Sequence, residues 1–362
     1  MNNQQKKHCL WISLTMSIMF FIILIVITTL FITAYIHKFS QTLIFNSKIS
    51  SLSLYSIYGI GLDPTPLQKN VYVAISPSCM INIMKYIKTN GFNSIRTWIP
   101  FSGNYDSFSK AANEANVKIL LGIGLNAYEN GIYGPESPKG DELIQIITNN
   151  VKQYSNSFVG LCIGNEDFPQ TNENPPQGSP DIGQIVTWNW IQEKILEIRN
   201  KLKQNLAGIN IPIGTAQQNG HLLSGNYDWM AIELDFIGAN IYSGADGGFP
   251  GIPGNNIEAG QINWNSIDAQ IMELQTYKNG LFKNKLIITE SGIPHAGSII
   301  TNGIFKNFGN DPPGTITQKY IVNQLNNTGI SFFYFIAFDN LRRKNSIEQN
   351  FGLLSLPTEF PC

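Results

Sequence analysis

Apolar stretches alternate with amphipathic stretches along the chain from residue 54 onward. Residues 117–125 and 158–164 are apolar at nearly every position, which is typical of parallel strands that are covered on both faces. Residues 139–154 and 182–206 instead repeat their apolar positions at helical spacing. Eight such strands alternating with helices, within about 310 residues, favour a single (β/α)8 TIM barrel over an open sheet. The predicted strands cover residues 54–62, 94–98, 117–125, 158–164, 211–215, 235–241, 285–289 and 331–338.

A long uncharged segment precedes the predicted barrel. No residue from Cys9 to Ile36 is charged, and this stretch exceeds the roughly 20 apolar residues that a membrane-spanning helix needs. A long signal peptide that is removed is the alternative. We therefore predict a single-pass membrane protein with an extracellular or lumenal catalytic domain; insertion of the anchor in the opposite orientation is a further alternative. Its predicted parts are a cytosolic tail (1–8), a transmembrane signal-anchor helix (9–36), a stem (37–53) and the barrel (54–362).

The composition points away from nucleic acid and toward an uncharged ligand. With 24 basic and 25 acidic side chains, the chain has no large net field to attract a polyanion. Charged residues make up only 14% of the chain and aromatic residues 11%, which suits a neutral, hydroxyl-rich partner such as a polysaccharide. A biased genome composition is the alternative explanation. No Gly-x-Gly-x-x-Gly follows the first predicted strand, which weakens a dinucleotide-binding alternative.

Cysteine and histidine residues are few and scattered. Cys79 and Cys362 are the candidate disulfide pair in an oxidising compartment, with two unpaired thiols as the alternative. The four histidines form no cluster with cysteine, so we expect neither a metal site nor a cofactor. Asn326 begins an Asn-Asn-Thr sequon and is a candidate glycosylation site if the domain is extracellular.

Two short strings place a carboxylate just after a predicted strand. Gly164-Asn165-Glu166 ends the fourth strand, and Thr289-Glu290-Ser291-Gly292 ends the seventh. The carboxyl ends of all strands in a barrel meet at one rim, so Glu166 and Glu290 can converge there. Paired carboxylates at such a rim are the groups that glycoside hydrolysis requires. Glu166 and Glu290 are therefore the candidate catalytic residues.

Amides and aromatic rings surround these two carboxylates in the sequence prediction. Asn165 can bind a sugar hydroxyl, or it can cap the following turn. Trp98 and Tyr242 can stack on sugars or belong to the core, and Asn240 can bind substrate or satisfy a buried backbone group. Arg96, inside the second strand, can pair with a nearby carboxylate. The predicted substrate-binding residues are Tyr58, Trp98, Asn126, Asn165, Gln217, Asn240, Tyr242 and Asp339.

Seven strings occur in order along the chain: Tyr58-Gly59-Ile60, Ile95-Arg96-Thr97-Trp98, Gly164-Asn165-Glu166, Asn240-Ile241-Tyr242, Thr289-Glu290-Ser291-Gly292-Ile293-Pro294, Ala337-Phe338-Asp339 and Phe351-Gly352-Leu353-Leu354. Together they resemble the fungal-type members of glycoside hydrolase family 17, which are β-1,3-glucan hydrolases and glucanosyltransferases of the cell wall. The resemblance covers roughly residues 54–356. It implies a retaining double displacement with Glu166 as general acid/base and Glu290 as nucleophile. It also implies that Asn165 binds the sugar 2-hydroxyl.

The chain departs from the pattern of that family at three places. Ile293 stands where a Trp is usual, and Ile336 stands where a Glu is usual. Leu341-Arg342-Arg343 replaces a Trp-Lys pair. We expect these changes to alter the subsites beside the scissile bond. The sequence therefore predicts a β-1,3-glucan hydrolase, with transglycosylation as an additional outcome. A non-catalytic, membrane-anchored glucan-binding protein is the alternative.

Overall fold

Eight parallel strands close into a barrel, which confirms the predicted (β/α)8 architecture. The structure is a computed structural model that describes residues 56–63, 76–98, 105–130, 138–167, 187–244, 251–301, 303–341, 343 and 346–357. The barrel strands are β1 (Tyr58–Gly61), β2 (Ser94–Arg96), β3 (Lys118–Ile123), β4 (Phe158–Asn165), β5 (Ile213–Gln218), β6 (Phe236–Asn240), β7 (Leu286–Ser291) and β10 (Phe332–Tyr334). Two further strands, β8 (Ala296–Thr301) and β9 (Ile304–Asn310), pair as an antiparallel hairpin outside the barrel.

Helices follow most of the barrel strands. In the described residues they are α1 (Pro77–Thr89), α2 (Tyr105–Ala115), α3 (Leu125–Asn130), α4 (Gly140–Gln153), α5 (Trp188–Asn205), α6 (Asn219–Leu223), α7 (Met230–Glu233), α8 (Ile257–Gly280) and α9 (Ile316–Asn327). The backbone of α8 is non-helical at residues 277–279, where two helical pieces meet. One short single turn follows α4 (Ser155–Ser157), and another lies within the last described segment (Glu348–Asn350).

Polar side chains cap the amino ends of α1 and α9. The Ser76 hydroxyl accepts the backbone N–H of Cys79 (3.3 Å), and Pro77 takes the first helical position of α1, where no N–H is needed. At α9 the Thr315 hydroxyl accepts the Gln318 N–H (3.1 Å), while the Gln318 side chain accepts the Thr315 N–H (3.2 Å). These contacts satisfy the first amides of each helix and fix the loops at the rim.

The part of the barrel interior beneath the rim at the carboxyl ends of the strands is apolar. Side chains from six different strands pack against one another there, so they point inward, whereas their strand neighbours face the helices. The Phe236 ring fills much of this space: a Cβ built on Gly214 would lie 2.6 Å from it. The inward side chains are Leu120, Cys162, Ala216, Phe236, Ile287 and Phe333.

Two predicted strand ends differ from the structure, and one hairpin was not predicted. β5 runs to Gln218, whereas the predicted strand ended at residue 215. β10 ends at Tyr334, four residues before the predicted end. The β8–β9 hairpin was not predicted, although the Asn302-Gly303 pair between its strands is a strong sequence signal for a two-residue hairpin turn.

The predicted membrane localisation is corrected by the structure. Within the part of the chain that the structure describes, no helix is long and apolar enough to cross a membrane. The predicted tail, transmembrane helix and stem (1–53) lie outside the described residues. The predicted start of the barrel at residue 54 stays a prediction.

The cysteines agree in part with the sequence prediction. Cys79 is disulfide-bonded, and Cys162 is a buried free thiol inside the barrel. Cys362 lies outside the described residues, so its pairing with Cys79 stays a prediction. Asn326 lies in the last turn of α9, and its glycosylation also stays a prediction.

Removing the Phe236 ring should destabilise the folded protein. Phe236→Ala should lower the free energy of unfolding by about 3–5 kcal/mol, because it leaves a cavity among packed apolar side chains. Phe305→Ala is the matched control, since Phe305 is 64% exposed on β9. It should change the free energy of unfolding by less than about 0.5 kcal/mol. Urea unfolding followed by circular dichroism measures both, and equal losses would contradict the inward position of Phe236.

Candidate active site

Glu166 is held at the rim from three strands. It follows the last residue of β4 and adopts a left-handed backbone conformation with φ of 54°. Its backbone N–H donates to the carbonyl oxygen of Ala216 on β5 (2.9 Å). Its Oε1 accepts from Asn240 Nδ2 on β6 (2.8 Å), and its Oε2 accepts from Gln218 Nε2 on β5 (3.2 Å). Both carboxyl oxygens therefore have a fixed orientation.

The surroundings of Glu166 favour its protonated form. Burial is the main cause and the negative charge of Glu290 the second, and together they raise the pKa of Glu166 to about 7. Hydrogen bonds from Asn240 and Gln218, and then the charge of Arg96, act in the opposite direction but are weaker. A carboxyl group with this pKa can both give and take a proton near neutral pH.

Glu290, on β7, is 5% exposed and receives three hydrogen bonds. Its Oε1 accepts from Arg96 Nη1 (2.7 Å) and from Trp98 Nε1 (2.5 Å). Its Oε2 accepts from the Tyr242 hydroxyl (2.7 Å). All three partners donate, and a carboxylate is the group that only accepts. The site therefore fixes the orientation of the Glu290 carboxyl group. The charge of Glu290, after burial, also contributes to the strongly raised pKa of Tyr242.

Arg96 contacts Glu290 directly and reaches Asn165, the residue before Glu166. Its side chain is buried, and Nη1 also donates to the carbonyl oxygen of Thr289 (2.8 Å). Nη2 donates to Asn165 Oδ1 (2.7 Å). Of the roles open from the sequence, pairing with a carboxylate is the one observed, and its partner is Glu290.

A chain of amides continues from Arg96 to Glu166. Asn165 Oδ1 also accepts from Asn240 Nδ2 (3.1 Å), and Asn240 Oδ1 accepts from the Thr289 hydroxyl (2.8 Å). The oxygen of Asn165 is therefore engaged, so only its NH2 group can reach a ligand. Both ends of the Asn240 amide bind protein groups, and its residue is 2% exposed. The contacts of Asn240 with Asn165 and Thr289 therefore fix its amide, and this amide orients the carboxyl group of Glu166.

An apolar cluster supports the two aromatic donors to Glu290. Trp98 packs edge-on against Phe335 with ring centroids 5.4 Å apart, and Tyr242 does the same with Phe335 and Phe351 at 6.0 Å. Ile336 is 2% exposed and belongs to this cluster. Trp98 and Tyr242 therefore combine packing with a hydrogen bond to Glu290, and both remain partly exposed.

Ile293 was expected to alter a subsite wall, but its position differs from that expectation. It is 1% exposed within the main core. Its carbonyl oxygen accepts from the Tyr334 hydroxyl (3.2 Å) and from Gln318 Nε2 (3.1 Å). The residue therefore affects packing beneath the rim.

Gln217 is not the glutamine that contacts Glu166. It is fully buried, and its Nε2 donates to Thr215 Oγ1 (3.1 Å) and lies 3.4 Å from Asp167 Oδ2. Gln218 contacts Glu166 instead. The longer β5 explains the difference, because neighbouring residues of a strand point to opposite faces. Alternation from the inward Ala216 would have identified Gln218.

Three other predicted substrate-binding residues, Tyr58, Asn126 and Asp339, contact groups other than Glu166 and Glu290 in the part of the chain that the structure describes. Tyr58 is the first residue of β1, at the amino end of the strand, and its ring stacks on Phe92 with centroids 4.9 Å apart. It therefore lies at the opposite end of β1 from the rim where Glu166 and Glu290 stand. Asn126 is in α3, where its Oδ1 accepts from Asn130 (2.8 Å).

Asp339 lies after β10 and pairs with a histidine. Its Oδ1 is 2.9 Å from His295 Nε2 and accepts from the Gly352 N–H (2.8 Å). His295 Nδ1 contacts the carbonyl oxygen of Asp311, next to the hairpin. Asp339 thus links the segment after β7 to the last described segment through His295 and Gly352. Among the described residues, no group of three or more His, Cys, Asp or Glu side chains is placed to hold a metal ion.

A closed (β/α)8 barrel with a buried and a half-buried carboxyl group at its carboxyl rim is the arrangement that glycoside hydrolases use. The family model described as the BtgE/BtgC glycoside hydrolase domain matches residues 61–352, and the chain belongs to this family. This finding corrects the assignment to glycoside hydrolase family 17 that the motifs suggested. No curated protein matches the chain in sequence.

Solved structures with similar folds are distant in sequence. An endo-laminarinase from Formosa is 15% identical with a TM-score of 0.59, over 83% of this chain and 84% of that chain. A β-glucuronidase from Bacteroides uniformis is 15% identical with a TM-score of 0.55, over 83% of this chain. The chain spans about a third (33%) of that glucuronidase. Likenesses at this identity support the fold alone.

The raised pKa of Glu166 should appear in the pH dependence of stability. The folded pKa lies above that of an unfolded glutamate, about 4.3, so the folded state loses stability as pH rises from that value through about 7. Glu166→Gln removes this loss. The stability of the variant relative to wild type should therefore be greater at pH 8 than at pH 4.5, by about 2–3 kcal/mol. Urea unfolding at both pH values tests this, and a difference that does not change with pH would contradict it.

Proposed function

We propose that this barrel is a retaining glycoside hydrolase that cleaves β-1,3-linked glucan by double displacement. Glu166 is the general acid/base and Glu290 is the nucleophile. The observation that carries the proposal is the contrast between the two carboxyl groups. Glu166 is held by neutral amides and has a pKa raised to about 7, whereas Glu290 is held by Arg96 and two further donors. An acid and a nucleophile require these opposite surroundings.

In the first step Glu290 attacks the anomeric carbon while Glu166 protonates the glycosidic oxygen. The bond from the anomeric carbon to that oxygen breaks, and the leaving sugar departs with the proton of Glu166. A glycosyl ester forms on Glu290. The NH2 group of Asn165 supports this step if it donates to the sugar 2-hydroxyl, a contact that strengthens as positive charge develops on the ring.

The second step reverses the role of Glu166. Esterification removes the charge of Glu290, which is one of the causes of the raised pKa of Glu166. Glu166, now ionised, takes a proton from water or from a sugar hydroxyl, and that oxygen displaces Glu290 from the anomeric carbon. Hydrolysis and transglycosylation share this intermediate and differ only in the acceptor. Product analysis with a labelled oligosaccharide acceptor distinguishes them.

A neutral glucan fits the polarity of the site. The described side chains around the carboxylates are amides, aromatic rings and the cation of Arg96, which is already paired with Glu290. Trp98 and Tyr242 are partly exposed, so their ring faces are candidate contacts for sugar rings. One structural neighbour is named as an endo-laminarinase, which agrees with the substrate expected from the sequence.

Glu290→Gln should abolish turnover of laminarin while the fold remains. An amide is a very poor nucleophile, so we expect a loss on the order of 10⁴-fold or more in kcat. Glu114→Gln is the matched control, because Glu114 is exposed on the outer helix α2. It should keep the activity of wild type. Reducing-sugar release measures both variants, and circular dichroism verifies that each is folded.

Activity of Glu290→Gln close to that of the control would contradict the assignment of the nucleophile. If the wild type binds laminarin but releases no product over long incubation, the chain is a glucan-binding protein. These two outcomes are distinct, because the second concerns the wild type and the first concerns the variant.

The activity should decline as Glu166 loses its proton. We expect kcat/KM to fall as pH rises through about 7, the pKa of Glu166. Gln218→Leu removes a hydrogen bond that favours ionised Glu166, so it should move this decline to higher pH by about 0.5–1 unit. Gln145→Leu, at an exposed position of α4, is the matched control and should leave the profile in place. A decline that stays in place or moves to lower pH in Gln218→Leu would contradict the role of Gln218.

A further inference from the structure

The carboxylate of Asp167 folds back over the turn that carries Glu166. A Cβ built on Gly164 would overlap Asp167 Oδ2, so the carboxylate lies directly on this glycine. The backbone N–H groups of Asn165 and of Asp167 itself donate to the carboxylate, and Gln217 Nε2 lies 3.4 Å from Oδ2. Each of these partners is a donor, and they surround an acceptor-only group.

The turn needs such a group because its backbone is unusual. Gly164 has φ of 75° and Glu166 has φ of 54°, both in the left-handed region. That conformation is unfavourable for a residue with a side chain by about 1–2 kcal/mol, so the surrounding structure must hold it. The N–H of Asn165 lies before Glu166 in the chain and the N–H of Asp167 lies after it. A carboxylate that binds both closes the turn around Glu166.

The neighbours of Asp167 hold it from β5 and from the segment after α6. The Tyr227 hydroxyl donates to the main-chain oxygen of Asp167, and Gln217 Oε1 lies 3.5 Å from the same hydroxyl. The charge of Asp167 contributes, after burial, to the raised pKa values of Tyr227 and Cys162. Burial also raises the pKa of Asp167 to about 6, while its hydrogen bonds lower it.

We propose that Asp167 is a positioning residue that sets the backbone of Glu166, and so aims its carboxyl group at the glycosidic oxygen. The inference rests on the proposed role of Glu166 as general acid. Asp167 does not touch the reacting atoms and acts only through Glu166. Its loss should therefore impair proton donation and spare the attack by Glu290.

Two substrates separate proton donation from the rest of catalysis. A β-1,3-gluco-oligosaccharide has a sugar leaving group that must be protonated. The 2,4-dinitrophenyl glycoside of the same oligosaccharide has a leaving group that departs without a proton. In Asp167→Asn one carboxylate oxygen becomes an NH2 group, so the side chain keeps a single acceptor oxygen for the donors that surround it. We expect kcat/KM to fall by about 10–100-fold on the oligosaccharide and by less than about 3-fold on the dinitrophenyl glycoside.

Asp235→Asn is the matched control for this substitution. Asp235 also accepts a backbone N–H, that of Ile213 (3.0 Å), at the amino end of β5, away from the rim. The Asp235→Asn variant should keep the wild-type ratio between kcat/KM on the oligosaccharide and kcat/KM on the dinitrophenyl glycoside. Asp167→Ser is the second variant, because its short hydroxyl can still accept one N–H, and it should change the ratio in the same direction as Asp167→Asn.

The outcomes distinguish this inference from the proposed function. If the Asp167 variants lose activity equally on both substrates, or lose none, Asp167 does not position Glu166. Glu166→Gln is measured beside them and should lose activity selectively on the oligosaccharide. If Glu166→Gln retains full activity on the oligosaccharide, the proposed function itself fails, whatever the Asp167 variants do.

Discussion

Arg96 and Glu290 form an ion pair that is almost fully excluded from water, with side-chain exposures of 1% and 6%. Burying two charges is expensive, and their attraction offsets the cost only when further hydrogen bonds satisfy both groups. Here Arg96 also donates to Thr289 and Asn165, and Glu290 also accepts from Trp98 and Tyr242. The pair therefore requires groups from β2, β6 and β7 and from the end of β4 at once. Only the closed barrel supplies them.

The ion pair determines which atom of each neighbouring side chain donates and which accepts. An arginine can only donate, so Asn165 must present its oxygen to Arg96. Asn240 must then present its nitrogen to Asn165, and the same nitrogen meets Glu166 Oε1. The Thr289 hydroxyl agrees with this orientation, because it donates to the oxygen of Asn240. One fixed cation thus determines the orientation of two amides and of the carboxyl group at the far end of the network.

The same network gives the two carboxyl groups different chemistry. Glu290 faces a full positive charge, whereas Glu166 faces neutral amides and the negative charge of Glu290. A change in the charge of one group is therefore felt by the other. This coupling suits a reaction in which one carboxylate becomes an ester and the other must then work as a base.

Sequence patterns predicted the strands and both carboxylates, because uninterrupted apolar runs indicate buried parallel strands and their ends define a rim. These predictions failed where a shift of one residue moves a side chain to the other face of its strand. Gln217 was chosen in place of Gln218 because the predicted β5 was too short. Tyr58 belongs to a recognisable string, yet a string does not say which end of a strand a side chain occupies. The partners of Arg96 and Asp339 depend on contacts between distant segments, which no local pattern contains.

The aromatic donors to Glu290 are held by contacts between residues that are distant in the sequence. Trp98 and Tyr242 each use a polar tip to bind the nucleophile and a ring edge or face to pack on Phe335. Phe351, near the end of the described chain, packs on both Phe335 and Tyr242. The orientation of a carboxylate on β7 thus depends on apolar contacts between residues that are more than 250 positions apart (98 to 351). Contacts of such long range form only when loop closure has brought the chain together. The orientation of the groups that donate to Glu290 therefore depends on the packing of the two segments after β10 that carry Phe335 and Phe351.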